Sequence, residues 1–487
     1  MIQFLTKTQA GCRRGFLCHL LHRITTLTIL TAVVLFSQLI YTQSVKAKSS
    51  KKPNIVLIMA DDMGYEALSS NGSLDYQTPY LDNMAKQGFR FTHCYSQPIC
   101  TPTRVKLMTG LSNVRNYYQF GKLARDQKTF GHLFQAAGYK TCIAGKWQLG
   151  SEADAPQHFG FQQALLWQHT RKGNSVDGFD SRYPNPRLEE NGKKLEFNMG
   201  EYSSDLFSDY VNNFMEENKD TPFFVYYPMA LTHCPFSPTP DSDDWDPKSR
   251  GSKSYKGKAQ YFKDMVAYVD KTIAKIDNKL EALGIRDNTL LIFIGDNGTD
   301  TPIVTNTTYG KVVGAKGQMI DGGNHVPCIV SWPGVIKQGK VTSDIIDFSD
   351  MLPTICEAAG IALPSDIPFD GVSFLPQLQG KKGNPRDSIF MWYSRNGGEQ
   401  SARQFARNQE YKLYATGQFY HVPSDLLEKS PLKDADLDKE TLAIKSMLQN
   451  KLDEFAKVKH LSFTTAKGPK PKVKKNANKK NAEKKAA

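Results

Sequence analysis

The sequence predicts an α/β protein: a large mixed, mostly parallel β-sheet flanked by helices, with a smaller C-terminal antiparallel-sheet subdomain. Three observations lead there. NIVLIMADD (54–62) and TLLIFIGDNG (289–298) are apolar throughout and then end in acids, as a strand buried on both faces does when its C-terminal end opens into a site. Helical patterns lie between such runs. In YFKDMVAYVDKTIAKIDNKLEALG (261–284), Met265, Val266, Val269, Ile273, Ile276 and Leu280 share one face, and Gly284 suits a C-terminal cap. Past about residue 376 the texture changes to RDSIFMWYS, SARQFARNQEYKLYATGQFYHV and a charged helical run at 437–457, which reads as short antiparallel strands and one helix.

Taken in order, residues 1–47 read as an export signal or, if uncleaved, an anchor. A basic front end precedes ITTLTILTAVVLFSQLIYT (24–42), and Val45-x-Ala47 is a small-residue pattern that a signal peptidase accepts. A polar linker, KAKSSKKP (46–53), leads into residues 48–376, the expected catalytic domain, with 377–465 as the C-terminal subdomain. TPFFVYYPMALTHCPF (221–236) is another buried run, ending at His233. The Lys-rich 466–487 cannot bury a core and is expected to be disordered. The chain of 487 residues carries a formal charge of +13, but its location matters. Residues 1–47 hold five of these charges and 466–487 eight, so the body from 48 to 465 is neutral. That excludes nucleic-acid binding as the main function. A mean hydropathy of −0.47 with one long apolar stretch excludes a multi-pass membrane protein. Of eight Cys, six lie beyond the signal, widely scattered and without CxxC pairs, which disfavours zinc and leaves any disulfide pairing open.

The residues that carry chemistry cluster in a few strings. Asp61 and Asp62 end one apolar run, and Asp296 and Asn297 end another. Four hard oxygen side chains converging on one cleft suit Ca²⁺, with Mg²⁺ a weaker fit. In PICTPTRVKLMTG (98–110), Cys100 precedes Pro102, and Arg104 follows four positions on. A helix beginning near Thr103 would aim backbone N–H groups at whatever binds beside Cys100.

This last string resembles the sulfatase signature at Cys100, Pro102, Thr103, Arg104, Leu107, Met108, Thr109 and Gly110. GYKTCIAGKWQLG (138–150) resembles the second sulfatase signature. LTHCPF (231–236), GDNG (295–298) and GAKGQMIDGGNHVPCIVSWPG (314–334) follow in family order. The resemblance implies the alkaline-phosphatase-like fold. It also implies conversion of Cys100 to formylglycine by a formylglycine-generating enzyme, giving an aldehyde that hydrates to a geminal diol. Asp61, Asp62, Asp296 and Asn297 would hold one Ca²⁺ with residue 100 as a further ligand. Arg104 would stabilise the charged form of formylglycine, Lys146 and Lys316 would contact the sulfate oxygens, and His233 would assist the leaving group. The diol would form a covalent sulfo-enzyme, and its second hydroxyl would expel sulfate by re-forming the aldehyde. The implied activity is that of a sulfuric ester hydrolase; the export signal places it in the periplasm or outside the cell, and with the lack of any lipid-binding pattern it suggests sulfated carbohydrates as substrate. A membrane would be involved only through an uncleaved signal.

Three departures stand out. The His usual after GKW is Gln148, and an amide can hold a hydroxyl but cannot take its proton. His132, His158, His169 and His325 are candidates to replace it. The common EGG-x-R block reads DGGNH, with Asp321 and His325 as outer scaffold changes, and Thr103 stands for the commonest Ser. Two other readings stay open on sequence alone: a phosphoester or phosphonate hydrolase on the same scaffold, and a sulfoglycan-binding protein with weak turnover. Loops 165–200 and 236–256 match no motif.

Overall fold

Two hydrophobic layers, one on each face of a central sheet, account for the unbroken apolar runs. In the strand Asn54–Ala60, Ile55, Leu57 and Met59 belong to one core and Val56, Ile58 and Ala60 to the other, and every one of them is fully buried. A strand covered on both sides has no polar alternation to show. The computed structural model describes residues 52–459 apart from 168 and 172–174. The export signal expected at 1–47 and the tail expected at 466–487 lie outside the described residues.

The main sheet has ten strands. From one edge to the other they are Lys340–Asp347, Phe89–Tyr95, His325–Ser331, Thr289–Gly295, Asn54–Ala60, Phe223–Pro228, Lys140–Lys146, Gln163–Trp167, Arg187–Glu190 and Lys193–Glu196. Strands 325–331 and 187–190 run against the rest. The sheet is therefore mixed and mostly parallel, as the sequence predicts. The helix Phe262–Ala282 buries the six residues named from its periodicity, and Gly284 follows it with φ 68°. Together with helix Ser203–Glu217 it covers one face. Helices Cys100–Thr109, Phe130–Ala136 and Met351–Ala358 cover the other.

The C-terminal segment forms a four-stranded antiparallel sheet, Ile389–Tyr393, Arg403–Arg407, Tyr411–Tyr414 and Phe419–His421, backed by helix Lys439–Ala456. It has no separate core. Phe390, Trp392, Ala406, Leu413, Phe419, Leu448 and Leu452 join the same apolar cluster that receives the 100–109 helix. Among the described residues, no helix is long and apolar enough to cross a membrane, and all six cysteines are free and buried.

Candidate active site

Parallel register brings the acids together. Ala60 lies opposite Gly295 across strands 54–60 and 289–295, so the next residues, Asp61 and Asp296, emerge side by side at the same sheet edge. The Asp296 N–H donates to Ala60 O at 2.8 Å. Asp62 follows at φ 61°, a left-handed conformation that Asp tolerates. Strands 223–228 and 140–146 run the same way beside them, and they deliver His233 and Lys146 to the same edge. This is where open parallel sheets build their sites.

The helix bearing Cys100 starts at Cys100 itself, three residues earlier than the sequence reading placed it. Pro102 permits this: within the first helical turn its missing N–H is no loss. Thr103 Oγ1 donates to Asp296 O at 2.7 Å and anchors that turn to the acid loop. Arg104 comes one turn after Cys100. Its Nη1 donates to Lys146 O at 2.8 Å and its Nη2 lies 3.3 Å from Asp296 Oδ2.

These residues line or floor a cavity of about 430 Å³ that exposes Cys100, Lys146, Gln148, His233 and Lys316. Cys100 Sγ stands where an oxygen on Cβ would stand if the residue were oxidised as the sequence resemblance implies. Lys146 Nζ is 2.6 Å from Asp61 Oδ2, and Lys316 Nζ is 2.6 Å from Asp62 Oδ2. Burial works to raise the Asp61 carboxyl, but Lys146, Arg104 and Lys316 outweigh it and hold it below its usual range. Asp296 goes the other way: burial and the neighbouring Asp61 push it well up, against Arg104 and Lys146. Burial likewise raises Asp62 against Lys316. For Lys316, burial is outweighed by Asp62, Cys100 and Asp61, and its pKa rises.

The residues present fit a hard cation. Ligand atoms of Asp61, Cys100 and Asp296 lie within 4.8 Å of one another, as do those of Asp61, Asp62 and His233. Two oxygens, Asp61 Oδ1 and Asn297 Oδ1, are buried without any hydrogen-bond partner. Orphaned buried acceptors on adjacent strand ends are costly unless a cation takes them. Asn297 is turned to suit, its Nδ2 donating to Asp62 Oδ1 at 2.8 Å and to Gly298 O at 2.9 Å.

Gln148 reaches the cavity from a left-handed turn at φ 56°, and its Oε1 is also buried and unpartnered. The four histidines that were candidates to replace the missing one, His132, His158, His169 and His325, do not line this cavity. His132 caps helix 130–136 through Thr129, His158 Nε2 contacts Arg125 O, His169 Nε2 contacts Glu152 O and His325 Nε2 contacts Thr92 O. Asp321 pairs with Arg407 and Lys412, and His325 stacks on Tyr65 with ring centroids 4.1 Å apart. The DGGNH substitutions thus belong to scaffold joining the two sheets.

Sequence reasoning missed the far wall. Trp167, Arg182, Tyr255, Lys256, Asp300, Phe120 and Arg395 all line the cavity. Four of them sit in the two loops without motifs, and no local pattern marks them. Arg182 is fully buried, ion-paired to Asp180 at 3.3 Å, stacked 4.3 Å from the Trp167 ring, and donating to Cys234 O at 2.6 Å and to the His233 ring. Burial, then Lys316, Arg182 and Lys146, drive the His233 pKa well below its usual value, so the imidazole is neutral near pH 7.

Comparison with known proteins agrees with this geometry. The sulfatase family model matches residues 53–361, and a model of the N-sulphoglucosamine sulphohydrolase C-terminal region matches 315–457. Human arylsulfatase A is 31% identical over 380 residues, covering 71% of each chain. The N-acetylgalactosamine-6-sulfatase of Mus musculus is 30% identical over 380 residues, covering 72% of this chain and 70% of its own. A solved structure of Ps i-CgsB in complex with k-i-k-neocarrahexaose shares the fold, with a TM-score of 0.67 and 24% identity over 83% of this chain and 93% of that one. With the signature blocks at one sheet edge and the family model spanning most of the folded chain, this protein belongs to the sulfatase family and is a sulfuric ester hydrolase.

Proposed function

We propose that the chain is an exported enzyme that removes sulfate from sulfated carbohydrates, with formylglycine at position 100 and one calcium ion held by Asp61, Asp62, Asp296, Asn297 and residue 100. The observation that carries this reading is the setting of Cys100. It occupies the first helical turn inside a cationic cavity, beside two orphaned carboxylate and amide oxygens. The carbohydrate assignment draws on Phe120, Trp167 and Tyr255, whose aromatic rings line the cavity and suit the apolar faces of sugar rings. It also draws on the relative named for N-acetylgalactosamine 6-sulfate.

Each residue has a physical task. Lys146 and Lys316 each spend one N–H on a carboxylate and keep two for sulfate oxygens. With Arg104 they neutralise charge that spreads over those oxygens as the S–O bond breaks. Hydrated, residue 100 offers one hydroxyl as nucleophile, which takes up the sulfuryl group as the alcohol leaves, and a second whose proton passes to solvent as the C–O bond to sulfate breaks and the aldehyde re-forms. The unpartnered Gln148 Oε1 is the acceptor for a hydroxyl of that diol. Bound calcium supplies Lewis-acid polarisation at residue 100. His233 is held by Arg182 and is the one imidazole lining the cavity among the described residues. An anionic sulfate beside it raises its proton affinity against the lysines, though not against the burial that dominates, and its role as proton donor to the departing alcohol rests on that rise.

The test is desulfation of a panel of defined sulfated saccharides by matured protein, alongside the sulfate and phosphate esters of one phenol. Turnover of a saccharide sulfate, and preference for the sulfate over the phosphate ester, are expected. Faster hydrolysis of the phosphate ester with no saccharide desulfated contradicts the reading.

A further inference from the structure

Six cations surround residue 100 in the cavity and its floor, and five of them have carboxylates of their own. Arg104 pairs with Asp296, Lys146 with Asp61, Arg182 with Asp180, Lys256 with Asp300 and Lys316 with Asp62. The sixth, Arg395, lines the same cavity and is exposed, and among the described residues its guanidinium has no hydrogen bond or ion pair.

The backbone that carries this free group is fixed. Arg395 lies two residues past strand 389–393 of the C-terminal sheet, whose Met391 and Tyr393 pack against Ile99, the residue before Cys100. Its carbonyl accepts from Tyr117 Oη at 2.8 Å. Ser394 Oγ and Ser401 Oγ, 2.6 Å apart, cross-link the loop. Gly397, at φ 77°, lies so close to residue 118 that a Cβ there would be 2.0 Å from Tyr118 O. The second sheet therefore holds an unneutralised guanidinium at the rim of the cavity, on a loop tied down by these contacts. Such a group matches a planar carboxylate or a sulfate through two parallel hydrogen bonds.

Resting on the carbohydrate-sulfate reading above, we propose that Arg395 grips a second anionic group of the substrate, a carboxylate or a further sulfate on the sugar beside the ester that is cleaved. The C-terminal sheet then sets specificity for multiply charged saccharides, while the strand ends hold the reacting sulfate.

The experiment uses the full matured chain and three glycosides carrying the scissile sulfate at the same position: a neutral sugar, the matching uronic acid, and the same sugar with a second sulfate. Wild type is expected to show a lower KM for at least one dianionic substrate than for the neutral one. Arg395→Gln should raise that KM roughly ten- to a hundredfold more than it raises the KM for the neutral sugar, with kcat changing far less. Arg395→Lys should recover part of the loss, and added salt should weaken the wild-type preference. Which dianionic substrate responds tells carboxylate from sulfate. Equal effects of Arg395→Gln on all three glycosides, or a wild-type preference for the neutral one, overturn the proposal and leave the sulfatase reading intact. Turnover of a phenyl sulfate with none of any sugar sulfate overturns the carbohydrate reading and this inference together.

Discussion

Gln148 shows how one side chain alters what the site can do. It stands where the second signature usually carries histidine, and its Oε1 is buried in the cavity without a donor. Under the proposed function it is an acceptor that can orient a hydroxyl of hydrated formylglycine at residue 100 but not deprotonate it. Gln148→Ala is expected to slow kcat by about ten- to a hundredfold, the ~1.5–3 kcal/mol carried by a hydrogen bond to a charged reacting group. Gln148→His should match or exceed wild type. Pre-steady-state bursts locate the defect, since a fast first turnover followed by a slow steady state places it in sulfo-enzyme breakdown. Wild-type rates in both phases for Gln148→Ala would remove Gln148 from the constellation.

Among the elements, a close backbone approach at Gly145 and a ring stack around His325 lead to two predictions. Gly145, in the GKW motif, has φ 121°, and a Cβ there would lie 2.0 Å from Pro228 O on the neighbouring strand. Gly145→Ala should therefore destabilise the protein by at least ~1–3 kcal/mol. It should also lower kcat/KM by displacing Lys146; a shift near 1 Å costs about a hundredfold. Unchanged denaturation midpoint and rate would contradict this. Strands 89–95 and 325–331 place His93 and His325 in a stack with Tyr65 and Tyr95, near Asp321 and Arg407. Burial, partly offset by Asp321, pushes His325 down to about 3; burial and Arg407 push His93 down to about 4. A depressed folded-state pKa means the unfolded chain takes up protons first. The stability from each neutral ring is therefore fully present above about pH 6.5 and is lost as pH falls below it, by ~1.4 kcal/mol per pH unit per ring. Chemical denaturation at pH 7 and pH 5 should show a smaller difference in His325→Phe than in wild type. An identical difference would show that His325 does not carry this response.

These elements also mark what the sequence can reveal. Strand ends were legible because a strand buried on both faces leaves an unbroken apolar run, and its first polar residues mark the site. Arg182, Lys256 and Arg395 were not legible. They reach the cavity through loops whose course is set by long-range packing, such as Gly397 against Tyr118 and Arg182 against Trp167, which leaves no local periodicity. The start of helix 100–109 was misplaced because Pro102 signals equally a turn or a first helical turn.

At the scale of the whole molecule, one core runs from the main sheet into the C-terminal sheet, so the acids at the strand ends, the 100–109 helix and the Arg395 loop form one cooperative unit. A cation that binds only the assembled strand ends should stabilise all of it by mass action, about 2.7 kcal/mol at a hundredfold excess over its Kd. Chelation should lower Tm, and calcium should restore it. An unchanged Tm would argue against a metal between Asp61, Asp62, Asp296 and Asn297. The most direct test of the account addresses residue 100 itself. Protein made with and without a formylglycine-generating enzyme is digested, and the peptide containing residue 100 is weighed and treated with an aldehyde reagent while sulfate-ester hydrolysis is measured on the same samples. The expected result is a peptide lighter than the cysteine form, reactive to the reagent, with activity rising in proportion to the converted fraction and absent in Cys100→Ala. Full activity in protein whose residue 100 is entirely unmodified thiol would contradict it.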